Sequence, residues 1–279
     1  MSAGTGSLHA DVRRERILAL LARDSFVRVS DLSMSFGVSQ VTARNDLDAL
    51  ARDGRILRVR GGAVRREISY EQPYEERRAR QRAAKLAIGR AAAALVQPGE
   101  SVILDVGTTT VAAATALVRR RELTDVTAFT NGLHVALELE RAGDRITTVV
   151  TGGTLRRRQH SLVDPMGTDL LARVRVDTAF LGCTGVDGEA GFTNENLPET
   201  AVKHAMLRAA RRRVFLADGH KLGVVHLALI CPVEDADLLI TSDTADASVV
   251  DALRDRGLEV IVAGEQSARS PAKEREEPR

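Results

Sequence analysis

A chain of 279 residues, 44% apolar and 28% charged, is long enough for one small and one medium domain, and its composition is that of an ordinary soluble protein. It holds no apolar run of membrane-spanning length, and its first eleven residues lack the basic start and apolar stretch of a secretion signal, so a cytoplasmic protein is expected. The net charge of +2 hides an asymmetry: residues 1–66 hold twelve Arg against seven acids, while the remainder holds 28 basic and 31 acidic residues. A small basic unit suited to a polyanion thus precedes a larger, slightly acidic one.

Residues 1–10 are small and polar and are expected to be disordered. From Asp11, the apolar Ile17, Leu18, Leu20 and Leu21 recur at helical spacing and predict a helix ending near Asp24. Ser30 can cap a second short helix over 31–36, and Gly37 suits the turn that ends it. Ser39 can cap a third helix with Ala43, Leu47 and Leu50 as its buried stripe, closed by Asp53-Gly54. Residues 56–60 alternate as a strand, Gly61-Gly62 turns, and Ala63-Val64 returns. Together these elements make a winged helix-turn-helix over residues 11–66. A linker follows around Ile68 to Pro73, and residues 74–96 read as one long connecting helix stopped by Pro98-Gly99, so that 67–97 joins the two units.

Over residues 98–265, apolar β-branched runs appear at 102–106, 126–129, 146–150, 176–181, 214–217, 238–241 and 260–262, with helical segments between most of them. That alternation predicts a mostly parallel sheet with helices on both faces, an α/β domain. The charged stretch 266–279 is expected to be a disordered tail.

Ligands of open α/β sheets bind beyond the carboxyl ends of the strands. Those positions carry Gly107-Thr108-Thr109-Thr110, then Thr130-Asn131, then Gly152-Gly153, then Gly185-Val186-Asp187, then Asp218 through Lys221. Small residues let backbone N–H groups reach an anion, threonines add donors, and a helix N-terminus favours negative charge. Any one of these loops is also explained as a plain capped turn; the five together point to a phosphorylated, hydroxyl-rich ligand. Only four of the 40 basic residues are Lys, namely Lys85, Lys203, Lys221 and Lys273, which makes Lys203 and Lys221 candidates for a specific phosphate contact. Lys203 is equally explained by a surface pair with Glu199 four residues earlier.

Cys183 and Cys231, the only cysteines, make neither a disulfide framework nor a metal knuckle, and the six histidines show no metal spacing. No P-loop and no nucleophilic triad can be argued, so no cofactor, metal or catalytic set is expected. On the third helix, the buried stripe leaves Gln40, Thr42, Arg44 and Asn45 outward, beside the Ser39 cap. Arg can read guanine, Asn adenine, and Thr can hold a phosphate. Arg58 and Arg60 on the hairpin could reach a flanking groove or the backbone.

With these residues the chain resembles the DeoR family of bacterial sugar-metabolism regulators over nearly its whole length. The resemblance rests on Arg13, Ile17 and Leu21, on Ser39-Gln40-Val41-Thr42-Ala43-Arg44-Asn45-Asp46-Leu47, and on Asp53-Gly54 with the wing Arg58-Val59-Arg60-Gly61-Gly62-Ala63. It continues in Asp105 through Thr110, Thr130-Asn131, Thr151-Gly152-Gly153, Gly185-Val186-Asp187, Lys203 and Asp218 through Lys221. The sequence departs from the family pattern at Asn45, where a second basic residue is usual, at Arg60 (His) and at Asp164 (Gly); the Asp164 side chain would narrow or recharge the pocket.

The resemblance implies a sensor domain related in fold to ribose-5-phosphate isomerase, glucosamine-6-phosphate deaminase and CoA transferases, with a sugar phosphate held by these loops. The expectation is a homo-oligomeric repressor of a carbohydrate operon, released from operator DNA when a phosphorylated sugar binds, with the helix after Tyr74 as relay. The alternatives are a sugar-phosphate isomerase or deaminase carrying a DNA-binding domain, and an activator built from the same parts.

Overall fold

The computed structural model describes residues 10–24, 26–52, 55–59, 61–65 and 73–264. The expected disordered ends lie outside them, apart from Ala10, as do Asp53-Gly54 and most of the linker. The chain divides into two compact units, residues 1–70 and 71–279.

The first unit runs α1 (Ala10–Asp24), β1 (Phe26–Arg28), α2 (Val29–Phe36), α3 (Gln40–Arg52), β2 (Ile56–Val59) and β3 (Gly62–Arg65), with an antiparallel sheet in the order β1-β3-β2. Helical spacing brings Ile17 and Leu21 of α1, Leu32 of α2, and Ala43, Leu47 and Leu50 of α3 into one core with Ile56 and Ala63. Truncating a buried leucine here would cost about 2–5 kcal/mol.

Two local expectations differ. Ser30 does not cap α2, which begins at Val29; Arg28 holds the cap position without a side-chain bond, and the Val29 N–H donates to the Gly61 carbonyl at 3.0 Å. The three-residue strand β1 fixes that start. The hairpin turn also lies one residue earlier than expected: Gly62 is already in β3, paired with Val59 and Arg28. Gly37, at φ 63, ends α2 in the left-handed conformation that glycine adopts without strain.

The second unit opens with α4 (Tyr74–Ala79) and α5 (Arg82–Ala94) in place of one long helix. They are broken at Gln81, whose φ of 51 lies in the left-handed region. Then follow β4 (Ser101–Leu104), α6 (Thr108–Arg119), β5 (Val126–Thr130), α7 (Leu133–Glu140), β6 (Ile146–Val150), β7 (Thr154–Arg156), β8 (Ser161–Val163), α8 (Met166–Leu171) and β9 (Val176–Gly182). The chain continues through β10 (Gly185–Asp187), β11 (Gly191–Asn194), α9 (Leu197–Ala209), β12 (Ala210–Leu216), β13 (Ala228–Cys231), β14 (Leu238–Ser242), α10 (Ala247–Asp255) and β15 (Glu259–Ala263).

The seven apolar runs of the sequence become a seven-stranded parallel sheet in the order β15-β14-β12-β9-β4-β5-β6. Alternate side chains face opposite layers, as the strand period of two requires. Ala179, Leu181 and Phe215 pack with Val202 and Met206 of α9 and Leu253 of α10. Phe180, Val214 and Leu216 pack on the other face with Ile88 of α5 and Leu117 of α6. At Gly89, α5 meets α6 backbone to backbone: an added Cβ would stand 2.5 Å from the Ala112 carbonyl carbon. Two small antiparallel sheets, β7-β8 and β10-β11-β13, lie outside the main sheet.

Candidate functional site

In the first unit, the Ser39 hydroxyl accepts from the Thr42 N–H at 3.0 Å and lies 2.8 Å from the Thr42 hydroxyl, so it caps α3 as expected. Gln40, Arg44 and Asn45 are exposed and Thr42 is half-buried. Val41, which pattern reading passed over, is 62% exposed among them, an apolar side chain in the polar row. Asp46 turns inward, where Arg13 and Arg14 of α1 both donate to its carboxylate. Arg13 and Asp46 are buried, so this pair pins α3 against α1 and sets the pose of its outer face. Arg58 is held as well: its Nε lies 2.8 Å from the Asp48 carboxylate, and its Nη1 donates to the Gly62 carbonyl at 2.6 Å. Arg60 lies outside the described residues.

In the second unit, a cavity of about 400 Å³ opens at the carboxyl ends of β4, β9 and β12. The strand order explains the place. From β4 the chain builds outward through β5 and β6, then returns to the other side of β4 to lay down β9, β12, β14 and β15. The order in which strands are added reverses between β4 and β9, which remain parallel, and there the loops part to leave a crevice.

Gly107, Thr108, Thr109, Thr110, Lys203, Asp218 and Lys221 line this cavity. Gly107 precedes α6, whose first turn receives no side-chain cap; Thr110 donates its hydroxyl back to the Gly107 carbonyl at 2.8 Å. The N–H groups of that turn are therefore open to an anion. Lys203, only 2% exposed, does not pair with Glu199. Its ammonium donates to the Asp105 carboxylate and, at 2.9 Å, to the Gly182 carbonyl. Glu199 instead accepts from Arg156 and from the Ser161 hydroxyl. Burial would raise Glu199, but Lys203, Arg156 and these hydrogen bonds hold it below the usual carboxylate range. Lys221 has no hydrogen-bond or ion-pair partner for its ammonium among the described residues.

The other expected site residues do not line the cavity. Asp105 is wholly buried beneath it, raised by desolvation against the pull of Lys203. Asn131 follows β5 and buttresses the β4 loop, accepting from the Val106 N–H at 2.9 Å and donating to the Leu162 carbonyl at 3.2 Å. Gly152 and Gly153 follow the edge strand β6, two strands from the crevice, where Gly153 packs against the Val163 carbonyl. Asp187 ends β10 and holds a turn by accepting from the Glu189 and Ala190 N–H groups. Asp164 is exposed, away from the cavity, at φ 69, a conformation in which glycine is at ease.

Pattern reading missed the cations of α4 and α5. Lys85, Arg77, Arg80 and Gln81 line the same cavity as Lys221. Lys85 is 6% exposed and donates to the carbonyls of Arg77 and Arg80. Burial and then the neighbouring Lys221 push its ammonium down to about 8, against the pull of Asp218. Arg77 is spoken for by Glu195 at 3.2 Å. Gln81 hydrogen-bonds His220, closing the rim between the α4–α5 joint and the turn that carries Lys221. One signal was present: three of the four lysines converge on this cavity. Cys183 also lines it, but burial raises its thiol to about 11, so it stays protonated and is no nucleophile. A larger groove of about 980 Å³ runs along α4 to α7, walled mainly by alanines and exposed arginines.

Two family models match the chain, the DeoR-like helix-turn-helix domain over residues 13–68 and the DeoR C terminal sensor domain over residues 80–243. A candidate aga operon transcriptional repressor of Escherichia coli O157:H7 is 36% identical over 256 residues, covering 91% of this chain and 94% of that one. The HTH-type transcriptional regulator GolR of Listeria innocua is 33% identical, with 90% and 98% covered. The ribose 5-phosphate isomerase A structure from Methanocaldococcus jannaschii is 21% identical over 49% of this chain and 52% of that one, at a TM-score of 0.36. That likeness is too slight to carry a function across.

Proposed function

The chain belongs to the DeoR family of DNA-binding transcriptional regulators, and from that premise we propose that a phosphorylated sugar in the cavity between β4 and β9 releases it from its operator. Its full-length relatives are regulators, and the enzyme alternative falls with them. In this reading it is a repressor of a carbohydrate operon.

The observation that carries the reading is that Lys85, Arg80 and Lys221 line one cavity together with the uncapped first turn of α6. Positive side chains and open N–H groups around one small cavity suit a phosphate, and Thr108, Asp218 and Gln159 offer partners for sugar hydroxyls. Release needs only that the metabolite bind the arrangement that does not hold DNA better than the one that does. Gln40, Thr42, Arg44, Asn45 and Arg58 are the DNA-facing set, with Ser39 fixing the start of their helix. A homo-oligomer on a two-fold operator fits the same reading. Val225, Leu227 and Leu229 are 54%, 81% and 52% exposed along the edge strand β13 and just before it. Among the described residues no helix is long and apolar enough to cross a membrane.

The test is a thermal-shift panel on the full chain. Phosphorylated sugars are expected to raise the melting temperature of the second unit while their unphosphorylated parents leave it unchanged, because a ligand of the folded state alone stabilises it. A panel in which free sugars stabilise better than phosphosugars would sink the proposal.

A further inference from the structure

The histidines show no metal spacing in the sequence, but the fold brings two of them together with a carboxylate. Glu75 is the second residue of α4, His134 the second residue of α7, and His160 ends the turn between β7 and β8. Their ligand atoms all lie within 4.8 Å of one another. His134 Nε2 and His160 Nδ1 are 2.8 Å apart. The three segments are tied by backbone: the Leu133 N–H donates to the His160 carbonyl at 3.0 Å, and the Tyr74 N–H to the Arg158 carbonyl at 3.1 Å. The Tyr74 ring stacks on His134 with centroids 4.1 Å apart and fixes its plane.

Neither imidazole bonds any other side chain, and the Glu75 carboxylate has no hydrogen-bond or ion-pair partner among the described residues. Arg78, on α4 with Glu75, is exposed to solvent.

We propose that Glu75, His134 and His160 form a binding site for a borderline divalent cation, zinc foremost. Two imidazole nitrogens and one carboxylate oxygen are the donor set that such ions take from proteins, leaving a fourth position for water. Two nitrogens each about 2.0–2.1 Å from a tetrahedral ion stand about 3.3 Å apart, so the histidine pair has to open by about half an ångström. The proton now shared between the rings moves to the outer nitrogen of its own ring, and both facing lone pairs become free for the metal. Glu75 borders the open groove along α4 to α7, which gives the ion a path from solvent.

The site is distinct from the anion cavity but touches it. Tyr74, stacked on His134, and Gln159, next to His160, both line that cavity. A bound ion joins the start of α4, close after the end of the first unit at Tyr70, to α7 and the β7–β8 turn.

The test is competition for Zn²⁺ between the metal-free full chain and a chromophoric chelator at pH 7.5. One Zn²⁺ per chain is expected, held at micromolar affinity or tighter. Glu75→Gln should weaken it several-fold, His160→Asn at least tenfold, and His134→Ala with His160→Asn should abolish it. Asn tolerates the φ of 53 at position 160, and Glu75→Gln changes only an exposed group, so these two variants keep the fold. His204→Ala and His226→Ala should bind as the parent does. A parent chain that binds no Zn²⁺, or a double variant that binds it as tightly as the parent, overturns the proposal.

Discussion

The two units set their candidate site residues in opposite surroundings. In the first, Gln40, Arg44 and Asn45 fall within two turns of one helix, exposed, and placed by a capped start and a buried opposite face. In the second, Lys85, Thr108, Lys203 and Lys221 come from segments up to 136 residues apart, and Lys85 and Lys203 are 6% and 2% exposed. A surface that reads DNA can be built from one element's periodicity. A cavity that holds a small anion has to be assembled by topology, and its charges have to be stabilised out of water before any ligand arrives.

The largest effect should follow from taking away one of those stabilised charges. Lys203→Ala leaves the buried Asp105 without its cation, and Asp105 Oδ1 already lacks a hydrogen-bond partner among the described residues. Breaking one side of a buried pair costs about 3–5 kcal/mol. Asp105 is raised in the fold, so the folded state binds the extra proton and the loss should ease toward acid pH. Two-probe unfolding should show the second unit melting early while the first keeps its midpoint. A common shift of both would break the comparison, because the units would then melt as one.

Lys221→Ala should leave stability and operator affinity nearly unchanged and lower affinity for a phosphosugar tenfold or more, the equivalent of about 1.5–3 kcal/mol. Calorimetry and gel shift on the same preparation separate the two affinities. An unchanged response to the phosphosugar would show that the lysine is not at the ligand. On the exposed side, Arg44→Ala should cost about 1–3 kcal/mol on operator DNA and far less on random DNA. Equal losses on both would mean that Arg44 touches only phosphate.

The smallest effect is one of pH. Lys85 is held near 8 in the fold against 10.5 for a free lysine, so between those values the unfolded chain binds more protons. Stability from this group should therefore rise as pH climbs from about 8 to 10.5. A bound phosphate restores the ammonium, so ligand affinity should fall over the same window, by at most tenfold per pH unit. Lys85→Gln should flatten both curves. Parallel slopes in the parent would place Lys85 away from the ligand.

The readability of the sequence follows the same division. Seven apolar β-branched runs announced the seven parallel strands, because buried strands need little besides such runs. The small strands β1, β7, β8, β10, β11 and β13 are three or four residues long, too short for a period to show. Nothing in Arg80-Gln81-Arg82 announces a break between α4 and α5, since all three are good helix formers. The break accompanies one contact from afar, Gln81 to His220, and a local one, Lys85 to the carbonyls of Arg77 and Arg80. Glycine and threonine marked the strand-end loops, but only strand order decided which of them meet. Asn131 and Gly153 follow strands on the far side of β4, and that order is set by the pairing of β4 with β9, whose partners such as Val102 and Thr178 stand far apart in sequence.

An ammonium has three hydrogens to give, and Lys85 has committed two of them to the carbonyls of Arg77 and Arg80. One oxygen of an arriving anion can be met with α4 undisturbed. A second bond is available only if one of those carbonyls is let go. The last turn of α4 and the contents of the cavity draw on the same three hydrogens, so counting alone ties occupancy to the helix that begins the unit.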